Sequence, residues 1–360
     1  MSDNVTLSAI DELPTHLATP AEGNGSSDIA ALMPDKLESL PILLLNVHEN
    51  CNCRCLMCDI WKRPSGSELE IEGLSRHRDS LRALQVKQAV LTGGEPLLHS
   101  RFEALCEFLK SCDLRITLLT TGLLLAKRAE CVAKWVDDVI ISLDGPPAVH
   151  DGIRRVSRGF DLIGIGIAAI RQHRPEMQIQ ARSTVQRSNF LYLRETVAAA
   201  KRLGFDSISF LATDVSSHAF NRELVWPGER QNQVALARTE ITALEEETEL
   251  LVEQYGDEIK ERYIVESPEK LRRIARRFRE HLGERTPEAP VCNAPWVSVV
   301  MEVDGSIRPC FFHRKIGSVE TSTLDEAINS AEAQQFRRTL DVARDPTCQR
   351  CVCSLNYSGV

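Results

Sequence analysis

Short apolar runs alternate with amphipathic helical segments over the first 215 residues of this 360-residue chain. The first run, ILLLNV at 42–47, is almost continuously apolar, as is typical of a strand buried on both faces. Strand–helix alternation with a spacing of about thirty residues predicts βαβ units and a parallel sheet. The predicted strands are 42–47, 87–94, 115–122, 137–145, 178–186 and 206–214. The helical segments between them are 69–84, 101–111, 126–135, 160–174 and 191–203.

Six strands are too few for a closed eight-stranded barrel, so we predict an α/β fold with an open or partial barrel. Residues 229–283 carry long charged helical patterns, and we expect their acidic run at 245–247 on a solvated helix face. Two apolar runs within 297–312 flank Asp304 and Gly305, which predicts a β-hairpin. The predicted regions are a flexible arm (1–40), a core (41–215), a helical insert with a linker (216–290) and a small C-terminal domain (291–360).

The charge of the chain excludes some classes of partner. A net charge of −8 without a basic run argues against binding to nucleic acid through phosphate contacts, and against docking on an anionic membrane surface. No stretch approaches the roughly 18 consecutive apolar residues that a transmembrane helix needs. The N-terminal residues lack a basic region followed by an apolar run, so we expect no secretory signal and a cytoplasmic protein.

The chain contains twelve cysteines. Without an export signal, clustered cysteines indicate metal or redox chemistry rather than disulfides. Cys106 lies outside the clusters, on a helical face with apolar neighbours, and we expect it to be a small buried core residue. Nine cysteines form two groups, which are Cys51, Cys53, Cys55 and Cys58, and then Cys292, Cys310, Cys348, Cys351 and Cys353.

The first group contains the spacing C-x3-C-x2-C at Cys51, Cys55 and Cys58, on the loop after the first predicted strand. Active sites of parallel α/β folds lie at this end of the strands. Thiolates favour iron–sulfur clusters and zinc. A closed zinc site requires four ligands, and Cys53 stands only two residues from each neighbour, a cramped position for a fourth. Three ligands on a four-iron cluster leave one iron open to a small molecule.

This motif resembles the signature of the radical S-adenosylmethionine (SAM) superfamily. The resemblance implies a [4Fe–4S] cluster whose open iron is chelated by the amino and carboxylate groups of SAM. It also implies that an electron from this cluster cleaves SAM to a 5′-deoxyadenosyl radical. Met57 departs from the family pattern, in which the residue before the third cysteine is often aromatic.

Further segments at the predicted strand ends carry the same resemblance. The family's GGEP segment binds the amino group of SAM, which implies that role for Gly93, Gly94, Glu95 and Pro96. A glycine pair after a strand is also compatible with an ordinary tight turn. The resemblance further implies contacts with the SAM carboxylate or ribose for three residues, namely Ser142, Arg154 in an HDxxR segment, and Ser183.

The second group combines C-x12-G-x4-C, from Cys292 through Gly305 to Cys310, with a C-x2-C at Cys348 and Cys351. Ligand chemistry alone fits a zinc ribbon and an iron–sulfur cubane equally well. The pattern resembles the SPASM/Twitch extension of radical SAM enzymes, with fewer cysteines than a full SPASM domain. The resemblance implies an auxiliary [4Fe–4S] cluster on these four cysteines, with Cys353 as the alternative to Cys351.

The resemblance implies an enzyme in which the radical abstracts hydrogen from a small-molecule or peptide substrate and the auxiliary cluster exchanges an electron. It also implies an electron donor of the flavodoxin or ferredoxin type. The alternatives are a zinc-stabilised binding protein, a pure electron-transfer protein, and a molybdopterin-precursor-type cyclase, whose Gly-Gly tail this chain lacks. Candidates to line the substrate cavity are Trp296, Phe311, Phe312 and His313.

Overall fold

A computed structural model describes residues 33–63, 66–220 and 224–357, so most of the predicted N-terminal arm lies outside it. Within these residues the strands form a single sheet of nine. The strands are β1 (Ile42–His48), β2 (Gln88–Gly93), β3 (Arg115–Thr120), β4 (Asp138–Ser142), β5 (Gln178–Val185), β6 (Ser207–Ala212), β7 (Ser298–Met301), β8 (Ser306–Arg308) and β9 (Gly317–Ser318).

The helices of the core lie between these strands, as the alternation of patterns predicts. The segment predicted as one helix at 69–84 is divided in two, with a break at Arg76 and His77. The core helices are α1 (Ile71–Ser75), α2 (Arg78–Ala83), α3 (Phe102–Lys110), α4 (Leu125–Trp135), α5 (Pro147–Arg154), α6 (Gly159–His173) and α7 (Leu193–Leu203). Short 3-10 turns lie at Ile60–Lys62 and Pro96–Leu98.

Eight further helices follow the core strands in the part of the chain that the structure describes. None of the helices in the described ranges combines the length and the apolar character needed to cross a membrane. The eight are α8 (Gly228–Val234), α9 (Arg238–Gln254), α10 (Gly256–Lys260), α11 (Pro268–His281), α12 (Ala294–Val297), α13 (Leu324–Ile328), α14 (Ala331–Thr339) and α15 (Pro346–Gln349).

The sheet has the order β6-β5-β4-β3-β2-β1-β7-β8-β9. Strands β1 to β6 are parallel to their neighbours, so their carboxyl ends meet at one edge. Short parallel strands joined by helices are the expected result of buried apolar runs that alternate with amphipathic segments. The predicted α/β fold with a partial barrel is confirmed.

The C-terminal hairpin extends the core sheet. Strand β7 pairs in parallel with β1, from Ile42 opposite Ser298 to Leu45 opposite Met301. Strand β8 then pairs antiparallel with β7, and Gly305 in the turn has φ +74°, a backbone conformation that favours glycine. The predicted hairpin is therefore present, and it is joined to the strand that precedes the first cysteine group.

Helices α9 and α11 of the insert pack together and are linked by ion pairs, including Arg279 with Glu245 at 2.6 Å. The sequence predicted that the whole acidic run at 245–247 lies on a solvated helix face, but one of its residues is buried. Glu247 is buried and pairs with Arg194 of α7 at 2.9 Å. The expectation was wrong for Glu247 because its basic partner is 53 residues away and contributes nothing to the local pattern.

Candidate active site

The loop that carries the first cysteine group leaves β1 and lies against the C-terminal end of α5. The backbone N–H groups of Arg54 and Leu56 donate to the carbonyl groups of Arg154 and Ile153, at 3.2 and 3.0 Å. The last carbonyls of a helix have no partner within the helix, so these bonds satisfy them and fix the loop. Cys58 closes the loop with a turn, in which its N–H donates to the Cys55 carbonyl at 3.4 Å.

This loop brings the thiol of Cys53 between those of Cys51 and Cys55. The Cys53 thiol lies within hydrogen-bonding distance of both Cys51 and Cys55, and those bonds raise the pKa of Cys53. The bond from Cys53, assisted by the charge of Arg154, lowers the pKa of Cys55 to about 6 against the opposing effect of burial. The Cys58 sulfur accepts the N–H of Ile60 at 3.4 Å. A thiolate is the form of cysteine that binds metal, so the surroundings of Cys55 favour a ligand.

The glycine pair after β2 allows this segment to approach the start of the cysteine loop. The N–H groups of Gly94 and Glu95 donate to the carbonyls of His48 and Asn50, both at 2.8 Å. A Cβ atom on Gly94 would lie 2.0 Å from the Asn50 carbonyl oxygen. Gly93 has φ +120°. Both positions therefore require glycine for the two segments to pack in this way.

The Glu95 carboxylate joins the ends of β2 and β3. It is completely buried and accepts hydrogen bonds from the Thr120 hydroxyl at 2.8 Å and the Thr121 N–H at 2.7 Å. The Thr121 hydroxyl and the Leu97 N–H also donate to it, at 2.7 and 3.0 Å. Both oxygens of the Glu95 carboxylate thus accept hydrogen bonds from protein groups, and these bonds hold the ends of β2 and β3 together.

A cavity of about 510 Å³ opens at the carboxyl ends of the strands. Its wall contains Gly93 and Gly94 from the core, α11 from the insert, and Phe311 and Phe312 from the C-terminal region. Trp296 and His313 were expected there but are not in the wall, and both are buried elsewhere.

Other predicted SAM contacts lie around this cavity rather than in its wall. Pro96 is buried, as is Arg154, whose guanidinium pairs with Asp144. Ser142 is half-buried and is the register partner of Arg182 on β5, so both side chains point to the same face. Ser183 is the next residue on β5, so it points to the opposite face, and its fully buried hydroxyl has no partner among the described residues.

The second cysteine group also comes together. The thiols of Cys310, Cys348 and Cys351 all interact electrostatically with the thiol of Cys292. Burial raises the pKa of Cys310 to about 12 and also raises the pKa of Cys348 and of Cys351. Four thiols in one place can close a tetrahedral ligand set, and their protons would be released as metal binds.

Cys353 differs from the other members of this group because it is exposed. Its carbonyl accepts the Cys351 thiol at 2.7 Å, and its N–H donates to the Cys351 sulfur at 3.4 Å. The backbone of Cys353 therefore supports the sulfur of Cys351.

Two polar residues lie beside the second group, of which sequence reasoning missed Asp345 and expected His313 in the cavity wall instead. The Nε2 atom of His313 lies 3.4 Å from the Cys348 sulfur and 3.7 Å from a carboxylate oxygen of Asp345. Asp345 caps α15 by accepting the N–H groups of Thr347 and Cys348, both at 2.9 Å. Aspartate followed by proline before a short helix is a capping pattern, so the sequence contained a signal for Asp345.

Comparisons with known proteins agree with this geometry. Residues 45–213 match the family model of the radical SAM superfamily, and residues 292–352 match SPASM, an iron–sulfur cluster-binding domain. A SAM-dependent heme synthase of Oleidesulfovibrio alaskensis is 28% identical over 51% of this chain and 50% of its own length. The chain thus matches about half of the length of that relative.

Two solved structures share the fold. Native anSMEcpe with bound SAM has a TM-score of 0.63 and 17% identity, over 88% of this chain and 93% of that one. Streptococcus suis SuiB bound to its precursor peptide SuiA has a TM-score of 0.60 and 12% identity, over 89% of this chain and 72% of that one.

The two thiol sets fit the groups that these families bind. Radical SAM domains bind SAM and a [4Fe–4S] cluster, and SPASM domains bind further iron–sulfur clusters, for which thiolates are the usual ligands. Gly94 packs against the carbonyl that immediately precedes Cys51, in space that a Cβ would fill. The chain belongs to the radical SAM superfamily and carries a C-terminal SPASM-type iron–sulfur domain.

Proposed function

We propose that this protein reductively cleaves SAM and uses the resulting 5′-deoxyadenosyl radical to abstract hydrogen from a substrate in the 510 Å³ cavity. The observation that carries the proposal is the position of the C-x3-C-x2-C loop, which follows β1 at the edge where the cavity opens. The reduced [4Fe–4S] cluster supplies the electron for this chemistry when it is bound. We also propose the division into a core at 41–215, an insert at 216–290 and a cluster domain at 291–360.

In this proposal Cys51, Cys55 and Cys58 hold the first cluster, while Cys53 supports its neighbours by hydrogen bonds. Gly93 and Gly94 are the best candidates among the predicted SAM contacts, because both line the cavity. Glu95 positions this backbone through its bonds to the end of β3.

The remaining predicted SAM contacts differ in where they lie relative to the cavity wall. Arg154 lies 3.7 Å from the Cys55 sulfur, where its charge stabilises the thiolate. Ser142 shares a strand face with a cavity residue, whereas Ser183 and Pro96 are buried away from the wall. Direct contact with SAM is therefore better supported for Ser142 than for Ser183 or Pro96.

We propose that Cys292, Cys310, Cys348 and Cys351 hold the auxiliary cluster. Cys351 is preferred to Cys353 because Cys351 is half-buried and interacts with both Cys292 and Cys310, while Cys353 is exposed. The Cys353 thiol also interacts with Cys310 and Cys351, so exposure is the difference between the two candidates. Both Cys351 and Cys353 line the cavity, so a cluster at either position would lie beside a bound substrate. Complete ligation by four cysteines would suit transfer of an electron from or to that substrate.

The substrate is a small molecule or a peptide. The cavity volume is in the range of small-molecule sites, and the similarly folded SuiB binds a precursor peptide.

We propose that a flavodoxin or ferredoxin supplies the electron. We also propose a cytoplasmic location, where cysteine ligands stay reduced.

Anaerobic reconstitution tests the proposed function. We expect roughly eight irons per chain, and production of 5′-deoxyadenosine from SAM when dithionite is added. Cys55→Ala should lose about half of the iron and all of the cleavage, whereas Cys112→Ala, a core position, should lose neither. Zinc in place of iron, or loaded protein that leaves SAM intact, would contradict the proposal.

A further inference from the structure

The wall of the cavity is cationic, although the chain as a whole has a net charge of −8. Its basic residues outnumber its carboxylates by six to three. An excess of one charge in a cleft attracts ligands of the opposite charge. The basic residues are Arg63, Arg182, Lys270, Arg273, Arg277 and Arg308, and the carboxylates are Glu49, Glu266 and Glu302.

Three of these arginines form ion pairs within the protein. Arg63 lies 2.9 Å from Glu49, and Arg308 lies 3.3 Å from Glu302. Arg277 lies 2.6 Å from a carboxylate oxygen of Glu280, behind the wall. The charges of these three side chains are therefore satisfied without a ligand.

Two other arginines, Arg182 and Arg273, have no carboxylate within 4 Å in the described part of the chain. Glu280 and Glu288 act on Arg273 electrostatically from beyond that distance. The Nε of Arg182 donates to the Ser209 hydroxyl at 3.2 Å, and a terminal nitrogen of Arg273 donates to the Glu288 carbonyl at 3.2 Å. Both side chains are half-buried. A partly desolvated guanidinium with unused donors is a ready site for a carboxylate or phosphate, which it can bind in a bidentate manner.

SAM can neutralise one of these two arginines but not both, because it carries a single carboxylate. Its ammonium and sulfonium groups also make the whole molecule cationic. Arg182 is the register partner of Ser142, a predicted SAM contact, and therefore belongs to the SAM side of the cavity. Arg273 lies on α11, in the wall that also contains Cys351.

We propose, on the basis of the proposed function, that Arg273 binds an anionic group of the substrate, either a carboxylate or a phosphate. The substrate class is thus an anionic molecule whose charged end points to α11 and whose reacting carbon lies nearer the strand ends. The competing explanation is that the charge of Arg273 is already balanced within the protein, by the auxiliary cluster beside Cys351 together with Glu280 and Glu288, since Arg273 interacts electrostatically with all three residues.

Calorimetric titration of the reconstituted holoenzyme with SAM present separates these explanations. The probes are glutarate, inorganic phosphate and the uncharged diamide glutaramide, each at low ionic strength. We expect binding of glutarate or phosphate and none of glutaramide. Arg273→Gln should weaken anion binding at least tenfold, and Arg273→Lys should weaken it less because the charge is retained.

Arg272→Gln is the matched control, because Arg272 is exposed on the same helix and pairs with Glu249 at 2.7 Å. Anion binding should be unchanged in this variant. Absence of anion binding by the wild type, or equal binding by wild type and Arg273→Gln, would overturn the proposal. So would a change in the reduction potential of the auxiliary cluster in Arg273→Gln with anion binding intact.

The titration records heat and not SAM cleavage. Failure of the wild type to form 5′-deoxyadenosine would therefore count against the proposed function alone, and absence of anion binding by the wild type would count against this inference alone.

Discussion

The Arg154 guanidinium donates from Nε to a carboxylate oxygen of Asp144 at 2.6 Å, and both side chains are buried. The other oxygen of Asp144 accepts the N–H of Thr184 at 2.9 Å. A terminal nitrogen of Arg154 reaches the Cys55 sulfur at 3.7 Å. This buried pair therefore connects the ends of β4 and β5 with the cysteine loop that follows β1.

Asp144→Asn should destabilise the protein by about 3 kcal/mol or more, because it leaves the charge of Arg154 buried without its counterion. The control is Asp161→Asn, since the Arg158–Asp161 pair is exposed and should contribute less than about 1 kcal/mol. Urea unfolding followed by circular dichroism measures both changes. Equal losses of unfolding free energy in Asp144→Asn and Asp161→Asn would show that the buried Arg154–Asp144 pair does not stabilise the protein more than an exposed pair does.

Gly94→Ala should prevent the segment after β2 from packing on Asn50, because the new Cβ would meet a backbone oxygen at 2.0 Å. We expect a loss of at least about 2 kcal/mol in stability and weaker iron binding at the first site. Gly152→Ala is the matched control, since a Cβ there has no neighbour within 4 Å and the residue lies within α5. It should be neutral or slightly stabilising. Iron content and unfolding free energy distinguish the two variants.

His150 should contribute to loss of stability in mild acid. Burial, together with the charge of Arg154, lowers the pKa of His150 to about 4. The unfolded chain takes up a proton near the ordinary pKa of about 6.5. The stability that depends on the neutral imidazole is therefore complete above about pH 6.5 and is lost as the pH falls towards 4, by at most about 1.4 kcal/mol per pH unit.

His150→Gln should reduce the slope of the unfolding free energy against pH between about pH 6.5 and 5. The reduction should be at most the slope due to uptake of one proton, about 1.4 kcal/mol per pH unit. The measurement is urea unfolding at several pH values. An unchanged slope would mean that His150 is not the group responsible, whatever the effect of the substitution at neutral pH.

Cys310→Ala should remove about four of the roughly eight irons and leave measurable cleavage of SAM without substrate turnover. The same iron loss is expected for Cys351→Ala, whereas Cys353→Ala should retain the full iron content. Iron and sulfide analysis with electron paramagnetic resonance measures this. Loss of iron in Cys353→Ala but not in Cys351→Ala would reverse the ligand assignment.

Cys53→Ala should keep the first cluster, because this thiol supports its neighbours and is not proposed as a ligand. Iron content should remain near the wild-type value, and SAM cleavage should persist at a reduced rate. If Cys53→Ala lost as much iron as Cys55→Ala, four cysteines would hold the metal and no iron would remain open for SAM.

Local pattern was sufficient for much of the fold and for the presence of two cysteine groups, while the ligand assignments stay predictions. The six core strands were predicted because each is a short apolar run followed by a helical period, and both signals are contained within a few residues. The loop after β1 could be placed at the active-site edge for the same reason. Cysteine spacing then indicated the first ligand set, because Cys51, Cys55 and Cys58 lie on one loop. The second set spans residues 292–351 and was indicated by its resemblance to the SPASM/Twitch pattern.

Contacts between distant segments were not predictable in this way. His313 was expected in the cavity wall but lies against Cys348, which is 35 residues away. Glu247 was expected in solvent but is buried against Arg194. In each case the partner that decides the environment belongs to another element of the fold.

The sequence by itself determined the parallel core, the two groups of thiols and the resemblance that the family matches confirm. The tertiary structure alone decided that β7 extends the sheet beside β1 and that Glu95 accepts hydrogen bonds from the threonines at the end of β3. It also decided that Arg182 and Arg273 line one cavity with no carboxylate of the described residues within 4 Å. The physical reason is that periodicity and spacing are local properties, whereas burial and charge pairing depend on which distant side chains packing brings together.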